Sequence, residues 1–156
     1  MFQETVATRT SRSGGGVRAS VAPEVAVRLV GSLLALAVAA VHVADQGGVT
    51  SLTSPAWLGW GYRLIEVGGV LTALLLLVPR PAWLGWAAGV LLGAGPFIGY
   101  IASRTVGVPG DSEDIGNWGY WLGTVSLVVE AALVVLGAGM LLALWQRRKA
   151  AAAAGG

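Results

Sequence analysis

The chain has 156 residues, of which 55% are hydrophobic and 12% charged, and its mean hydropathy is +0.72. These values lie outside the range of soluble globular domains and predict an integral membrane protein. The sequence contains no Cys, which excludes disulfides, thiolate metal sites and thiol redox chemistry. The net charge of +2 comes from basic residues near the chain ends and in one short loop, so it indicates membrane topology rather than a nucleic-acid partner.

The beginning of the chain combines a polar segment with a first apolar run. Residues 1–24 are rich in Ser, Thr, Gly and Arg, a composition typical of a disordered cytoplasmic segment. The apolar run at 27–45 predicts a transmembrane helix, although its short core would also suit a signal peptide cleaved at "AVA", residues 37–39. The long preceding region, and apolar residues that continue to Ala44, favour a retained helix.

Three further apolar runs follow, at 60–78, 82–102 and 118–145. Each approaches or exceeds the roughly 20 helical residues that cross a hydrocarbon core, where only a helix satisfies its own backbone hydrogen bonds. Residues 25–146 are therefore predicted to form an all-α membrane protein, a four-transmembrane-helix bundle. A basic, Ala- and Gly-rich tail at 147–156 is expected to be cytoplasmic and poorly ordered.

Basic residues are distributed unequally between the two ends of these helices. Only Arg63 and Arg104 fall on one side, whereas the other side carries Arg9, Arg12, Arg18, Arg28, Arg80, Arg147, Arg148 and Lys149. Because basic loops stay in the cytoplasm, this bias predicts that both termini are cytoplasmic. The expected location is the cell inner (plasma) membrane, which the chain crosses several times, with the lipid bilayer as its surroundings.

Tryptophan and glycine indicate how the helices sit and pack. The seven Trp residues predict belts at the two membrane interfaces, and the alternative is an aromatic cage for a cationic ligand. Small residues recur on one face of every helix, which predicts the faces that turn toward the bundle. On the third helix Gly85, Gly89 and Gly93 form a stripe that could also contact a second copy of the chain or another membrane protein.

Polar residues lie on the same faces as the small ones. Counting about 20 residues from the cytoplasmic boundaries places them together in the outer third of the bundle. The predicted buried polar cluster consists of His42, Arg63, Glu66, Tyr100, Arg104 and Glu130. Because charged groups inside a membrane are costly, this cluster needs either internal partners or a function.

Several interpretations of the cluster remain open. In a structural interpretation, two Arg–Glu pairs close the outer end of the bundle, and the protein is a non-enzymatic interaction or accessory protein. In a second, Glu130 or Glu66 carries protons in an oligomeric proton- or ion-coupled transporter of small molecules, with Pro96 as a hinge or kink. In a third, His42 and the two glutamates bind Zn, Fe(II) or Mn, or a dimer binds haem. No sequence motif of an enzyme is present, so we expect no catalytic residues, metal or cofactor.

The stretch "SRTVGVPGDSEDIGNWGYW", residues 103–121, separates the last two helices. Gly107, Pro109 and Gly110 predict turns, and its three acidic residues are expected to stay in water. A connection of about 15 residues is longer than a minimal one, which indicates a lid over the outer end. The sequence leaves open whether Arg104 reaches Glu66 or Glu130 beneath it.

Four of these features together resemble a group of small four-helix membrane proteins of actinobacteria. They are the His that ends helix one, "GYR" at 61–63, "SRTVGVPG" at 103–110 and the Glu within "SLVVEAAL". The resemblance covers residues 29–145 and implies the topology without a catalytic or binding role. Those proteins carry Ile-Pro where this chain has Ile65-Glu66, which favours His42 and Glu130 over Glu66 as shared residues.

Overall fold

A computed structural model describes residues 15–78 and 81–156, with side chains from Pro23 onward. It is all-helical and contains four long helices, as the sequence predicts. They are α1 (Gly15–Asp45), α2 (Ala56–Leu77), α3 (Ala82–Thr105) and α4 (Trp121–Ala154). Three of the basic residues used to predict orientation, Arg9, Arg12 and Arg80, lie outside the described residues.

All four helices are long and apolar enough to cross a membrane, α1 over Pro23–Asp45 and the others over their whole length. Their outer surfaces expose large apolar side chains: Leu33 is 66% exposed, Leu64 75%, Leu91 74% and Val135 74%. A helical bundle with an apolar exterior is suited to lipid rather than to water. The fold therefore has the features expected of a multi-pass membrane protein.

The helices pack mainly in chain order. The closest pairs are α1 with α2 and α3 with α4, and contacts of α2 with α3 and α1 with α4 complete the bundle. Residues 46–55 and 106–120 connect helices at one end, which we call the long-loop end. The short connection at 78–81 and both chain termini lie at the opposite, terminal end.

Small residues allow the helix backbones to approach closely. A Cβ atom added to Gly69 of α2 would lie 2.7 Å from the carbonyl oxygen of Ala35 in α1. A Cβ atom added to Gly93 of α3 would lie 2.7 Å from the carbonyl oxygen of Glu130 in α4. Both distances are shorter than any normal contact, so these crossings require glycine. Most residues of the predicted inward faces are buried, such as Ala35, Gly69, Gly93 and Gly137.

The glycine stripe of α3 faces the inside of its own bundle. Gly85 packs against Leu76 of α2, Gly89 against Leu133 of α4, and all three glycines are buried. In this bundle the three glycines therefore serve the packing of α3 on α2 and α4. Their contact with another chain stays a prediction.

The helix ends differ from the sequence boundaries in three places. Helix α1 already begins at Gly15, within the segment expected to be disordered. Helix α4 begins at Trp121 instead of Trp118, so Gly119 is exposed before the helix instead of packing within it. Helix α4 also continues to Ala154, because the alanine-rich tail has high helix propensity.

One tryptophan does not belong to an interfacial belt. Trp86 is 1% exposed and lies in the core, where a Cβ atom on Gly31 would come within 2.7 Å of its ring. The other six Trp side chains are at least 44% exposed, and the lowest value is that of Trp83. The belt prediction is therefore wrong for Trp86, which fills the space that Gly31 leaves open.

Polar contacts also join α1 to α2 toward the terminal end. Arg28 donates to the carbonyl oxygen of Val78 at 2.9 Å and to the carboxylate of Glu24 at 2.9 Å. Ser32 donates to the carbonyl oxygen of Ala73 at 3.1 Å. The guanidinium thus caps the C-terminal end of α2, where free carbonyl groups favour a positive charge.

Candidate functional site

The connection between α3 and α4, residues 106–120, folds over the long-loop end as a lid segment. Gly107 ends α3 with φ +77°, and its N–H donates to Ala102 at 2.9 Å. Pro109 and Gly110 then form a type II turn, in which Gly110 has φ +80° and the N–H of Asp111 donates to Val108 at 3.0 Å. The turns predicted from the sequence are confirmed.

A side-chain hydrogen bond holds the lid segment against α2. The indole N–H of Trp57 donates to the carbonyl oxygen of Pro109 at 3.1 Å. The ring of Pro55 lies beneath the turn, because a Cβ atom on Gly110 would come 3.2 Å from its Cγ. The two connections of the long-loop end therefore contact each other, as expected for a lid.

A cavity of about 900 Å³ extends from the lid segment into the bundle, and all four helices contribute to its lining. Its polar lining lies toward the long-loop end and includes His42, Asp45, Tyr62, Arg104, Tyr120 and Glu130. Its apolar lining lies between α2 and α3, includes Ile65, Gly68, Leu91, Leu92, Gly95 and Gly99, and opens toward lipid, since Leu91 is exposed. This volume is within the range of small-molecule binding sites.

Glu66 is fully engaged by neighbouring side chains. Arg63 donates to its Oε2 at 2.6 Å, and the amide of Gln46 donates to its Oε1. Arg63 also donates to the carbonyl oxygen of Ser51 in the α1–α2 connection. The predicted Arg63–Glu66 pair is confirmed, and it stabilises the connection next to the cavity without lining the cavity.

Arg104 reaches neither glutamate. It is 5% exposed, and its Nη1 pairs with the carboxylate of Asp114 in the lid segment. Its guanidinium also lies over the ring of Tyr100, 4.6 Å from the centroid. The predicted second Arg–Glu pair is therefore wrong. Asp114, which the sequence predicts to stay in water, is 34% exposed and pairs with the buried arginine. The lid segment folds back far enough to supply the counter-ion itself.

Glu130 and His42 meet at the inner part of the polar lining. Glu130 is 1% exposed; its Oε1 accepts a hydrogen bond from Ser126 and lies 3.8 Å from Nε2 of His42. His42 uses its other ring nitrogen, Nδ1, to donate to Val38 at 2.9 Å. Oε2 of Glu130 has no hydrogen-bond partner among the described residues. Because a buried carboxyl oxygen normally has a partner, the unsatisfied Oε2 marks a candidate contact for a ligand in the cavity.

Asp45, Tyr62 and Tyr120 also belong to the site, although the sequence analysis did not place them in the cluster. The hydroxyl of Tyr62 donates to Asp45, and its ring packs edge-on against His42 at 5.2 Å. A hydrogen bond to Asp45 and partial burial raise the pKa of Tyr120 to about 12. The spacing of His42 and Asp45, one helical turn apart, could have indicated that they share a face.

Two other predicted features line or border the cavity. Pro96 lies inside α3 next to Gly95, where both residues line the cavity, and the helix continues through it to Thr105. Tyr100 packs its ring directly on α4, because a Cβ atom on Gly123 would lie 2.2 Å from it. Residues 96–104 of α3 thus form one wall of the site.

The predicted metal-binding set is not assembled. His42 and Glu130 approach each other, but Glu66 binds Arg63 and Gln46 instead. Within residues 15–78 and 81–156, no three His, Cys, Asp or Glu side chains converge as metal ligands do.

The chain matches no protein-family model, no curated protein and no solved structure. Its similarity to actinobacterial four-helix proteins therefore stays a prediction.

Proposed function

We propose that this protein is a non-enzymatic multi-pass protein of the cell inner (plasma) membrane that binds an amphipathic organic molecule. The observation that carries this proposal is the cavity of about 900 Å³, polar toward the lid segment and apolar between α2 and α3. With both termini in the cytoplasm, as the basic residues indicate, the lid segment faces the outside of the cell. The ligand headgroup would then lie near the outer surface and its apolar part within the outer leaflet.

The polar part of the cavity determines the affinity. An apolar tail gains little on moving from lipid to an apolar protein wall, since both surroundings are equally free of water. A polar headgroup gains hydrogen bonds from Tyr62, Arg104 and Tyr120 or their neighbours that lipid chains cannot offer. The cavity therefore suits a molecule with both parts, and the protein would act as a binding or accessory component of the membrane.

Proton-coupled transport is the second candidate, favoured by one observation. Glu130 combines near-complete burial with an oxygen that has no partner in the described chain, and His42 is 3.8 Å from its other oxygen. A carboxyl group and an imidazole can exchange a proton within hydrogen-bond distance or through one water, so transport would require this pair to approach or a water to bridge it. Glu130→Gln tests this candidate in proteoliposomes: normal folding with loss of proton-dependent uptake supports transport, and unchanged uptake contradicts it.

Photolabelling tests the proposed binding directly. The probe is an uncharged fatty alcohol with a diazirine group in its chain, irradiated with the purified protein in lipid nanodiscs. Peptide mapping is expected to find adducts on the walls of the cavity, at residues 61–72 and 88–103. Adducts spread evenly over the lipid-facing surfaces of all four helices would contradict the proposal.

Two matched variants separate the cavity from the rest of the surface. Gly99 lines the cavity and Gly139 does not, and a Cβ atom at either position meets no atom within 4 Å. Both glycines are exposed, so either can be replaced without a clash at Cβ. Gly99→Trp is expected to abolish labelling of the cavity walls, whereas Gly139→Trp leaves it unchanged. Equal labelling in both variants would place the probe outside the cavity.

A further inference from the structure

The charges around the cavity are predominantly negative. Its lining contains four carboxyl groups, those of Asp45, Asp111, Asp114 and Glu130. Arg104 is the one Arg or Lys side chain of the described residues in this lining, and Asp114 already pairs with it. His42 adds a positive charge only when protonated. Carboxyl groups thus outnumber basic groups in the headgroup region, which favours a positively charged ligand over an anion.

Glu130 provides a specific contact within this field. Its side chain is 1% exposed and lines the cavity, and Oε2 has no hydrogen-bond partner in the described part of the chain. Asp45 differs, because it accepts a hydrogen bond from Tyr62. An unpartnered carboxyl oxygen in low-dielectric surroundings gains a strong interaction from a cation that enters the cavity.

Aromatic rings supply the remaining surface of a cation site. Trp57, Tyr62, Tyr100 and Tyr120 all line the cavity. The face of one of these rings already binds a cation within the chain, since the guanidinium of Arg104 lies 4.6 Å from the centroid of Tyr100. Aromatic faces attract organic cations, and quaternary ammonium groups are typical ligands of such sites. Aromatic rings beside carboxyl groups thus favour an organic cation over a metal ion.

We propose that the cavity selects an amphipathic organic cation, whose headgroup binds Oε2 of Glu130 and the surrounding aromatic rings while its apolar part lies between α2 and α3. This inference rests on the proposed function, because it assigns the class of ligand to the same cavity. It also gives a role to the unpartnered carboxyl oxygen. The sequence left this outcome open as an aromatic cage, but it expected tryptophans alone, whereas the site combines Trp57 with three tyrosines.

Competition against the photoactivatable alcohol tests the charge of the ligand. The competitors are decyltrimethylammonium, decanol and decyl sulfate, which share one tail and differ in headgroup charge. Their concentrations are expressed per lipid, so that different partitioning into the nanodisc does not affect the comparison. The cation is expected to reduce labelling of the cavity walls at a concentration at least tenfold lower than decanol, and decyl sulfate to compete least.

Three variants test the role of Glu130. Glu130→Gln is expected to reduce the advantage of the cation over decanol to within threefold, whereas Glu130→Asp keeps most of it and guards against loss of folding. Glu113→Gln removes the same charge from an exposed residue outside the cavity lining, and it should leave the preference unchanged.

The outcomes separate the two proposals. Equal competition by decanol and the cation in the unmodified protein would overturn the cation assignment and leave the amphipathic site intact. Stronger competition by decyl sulfate would overturn it in favour of an anion. Full cation preference in Glu130→Gln would overturn the role of this residue. If the alcohol probe fails to label the cavity walls at all, the proposed function itself is wrong.

Discussion

Gly93→Ala is the substitution that tests the packing of α3 on α4 most sharply. The added Cβ atom would lie 2.7 Å from the carbonyl oxygen of Glu130 and 2.9 Å from a methyl group of Val134. The closer neighbour is backbone, which cannot rotate away as the end of a flexible side chain can. The two helices must therefore separate by about 0.7 Å to restore an ordinary contact distance.

The magnitude follows from two opposing effects. Overpacking of a well-packed interior costs about 1 to 3 kcal/mol, and alanine has a higher helix propensity than glycine by up to about 1 kcal/mol. Gly95→Ala is the matched control on the same helix, because a Cβ atom there meets nothing within 4 Å. Because both variants gain the same helix propensity, we expect Gly93→Ala to be less stable than Gly95→Ala by the overpacking cost alone, about 1 to 3 kcal/mol.

The assay is reversible unfolding in mixed micelles of increasing SDS content, followed by circular dichroism. Gly93→Ala should unfold at a lower SDS fraction than the unmodified protein, and Gly95→Ala at the same or a higher fraction. Equal stability of the two variants would refute the close approach of α3 and α4 at Glu130, and with it the burial of that side chain.

Three further predictions concern the core, the lid segment and the orientation. Trp86→Ala should lower the free energy of unfolding by about 3 to 5 kcal/mol, because it empties a buried site, whereas Trp83→Ala at the exposed surface should change it by less than about 1 kcal/mol; equal effects would contradict the core position. Asp114→Asn should weaken the interaction between the lid segment and Arg104 by about 1 to 2 kcal/mol and speed cleavage of the lid segment by thermolysin. Unchanged cleavage would contradict the pairing of Asp114 with the buried arginine. Single Cys residues replacing Thr50 and Ser112 should react with an impermeant maleimide added outside intact cells; labelling from the cytoplasmic face alone would reverse the proposed orientation.

The helices and their inward faces could be predicted because each depends on local sequence. A run of apolar residues predicts a spanning helix. A glycine such as Gly69 or Gly93 predicts a close helix crossing, because any larger residue there would clash with the neighbouring backbone. The ion pair of Arg63 and Glu66 could also be predicted, because the two residues lie one turn apart on the same helix.

The remaining features depend on tertiary contacts that spacing does not reveal. Arg104 pairs with Asp114 because the lid segment folds back over the end of α3. A turn predicted at Pro109 does not indicate which later residue will contact Arg104. Trp86 is buried because the space beside Gly31 admits an indole ring, whereas the sequence around it is the same "WLGW" that begins α2. Glu66 and Glu130 look alike in sequence, yet Glu66 has two partners and an oxygen of Glu130 has none in the described chain.

Native mass spectrometry of the protein released from lipid nanodiscs tests the central claim most directly, because it detects any bound molecule without a chosen probe. The protein as purified from its cells should carry a small amphipathic molecule in a one-to-one complex. Gly99→Trp should lose this added mass and Gly139→Trp should keep it, since only the first side chain enters the cavity. Identical spectra for the two variants, with or without added mass, would contradict the claim that the cavity is a ligand site.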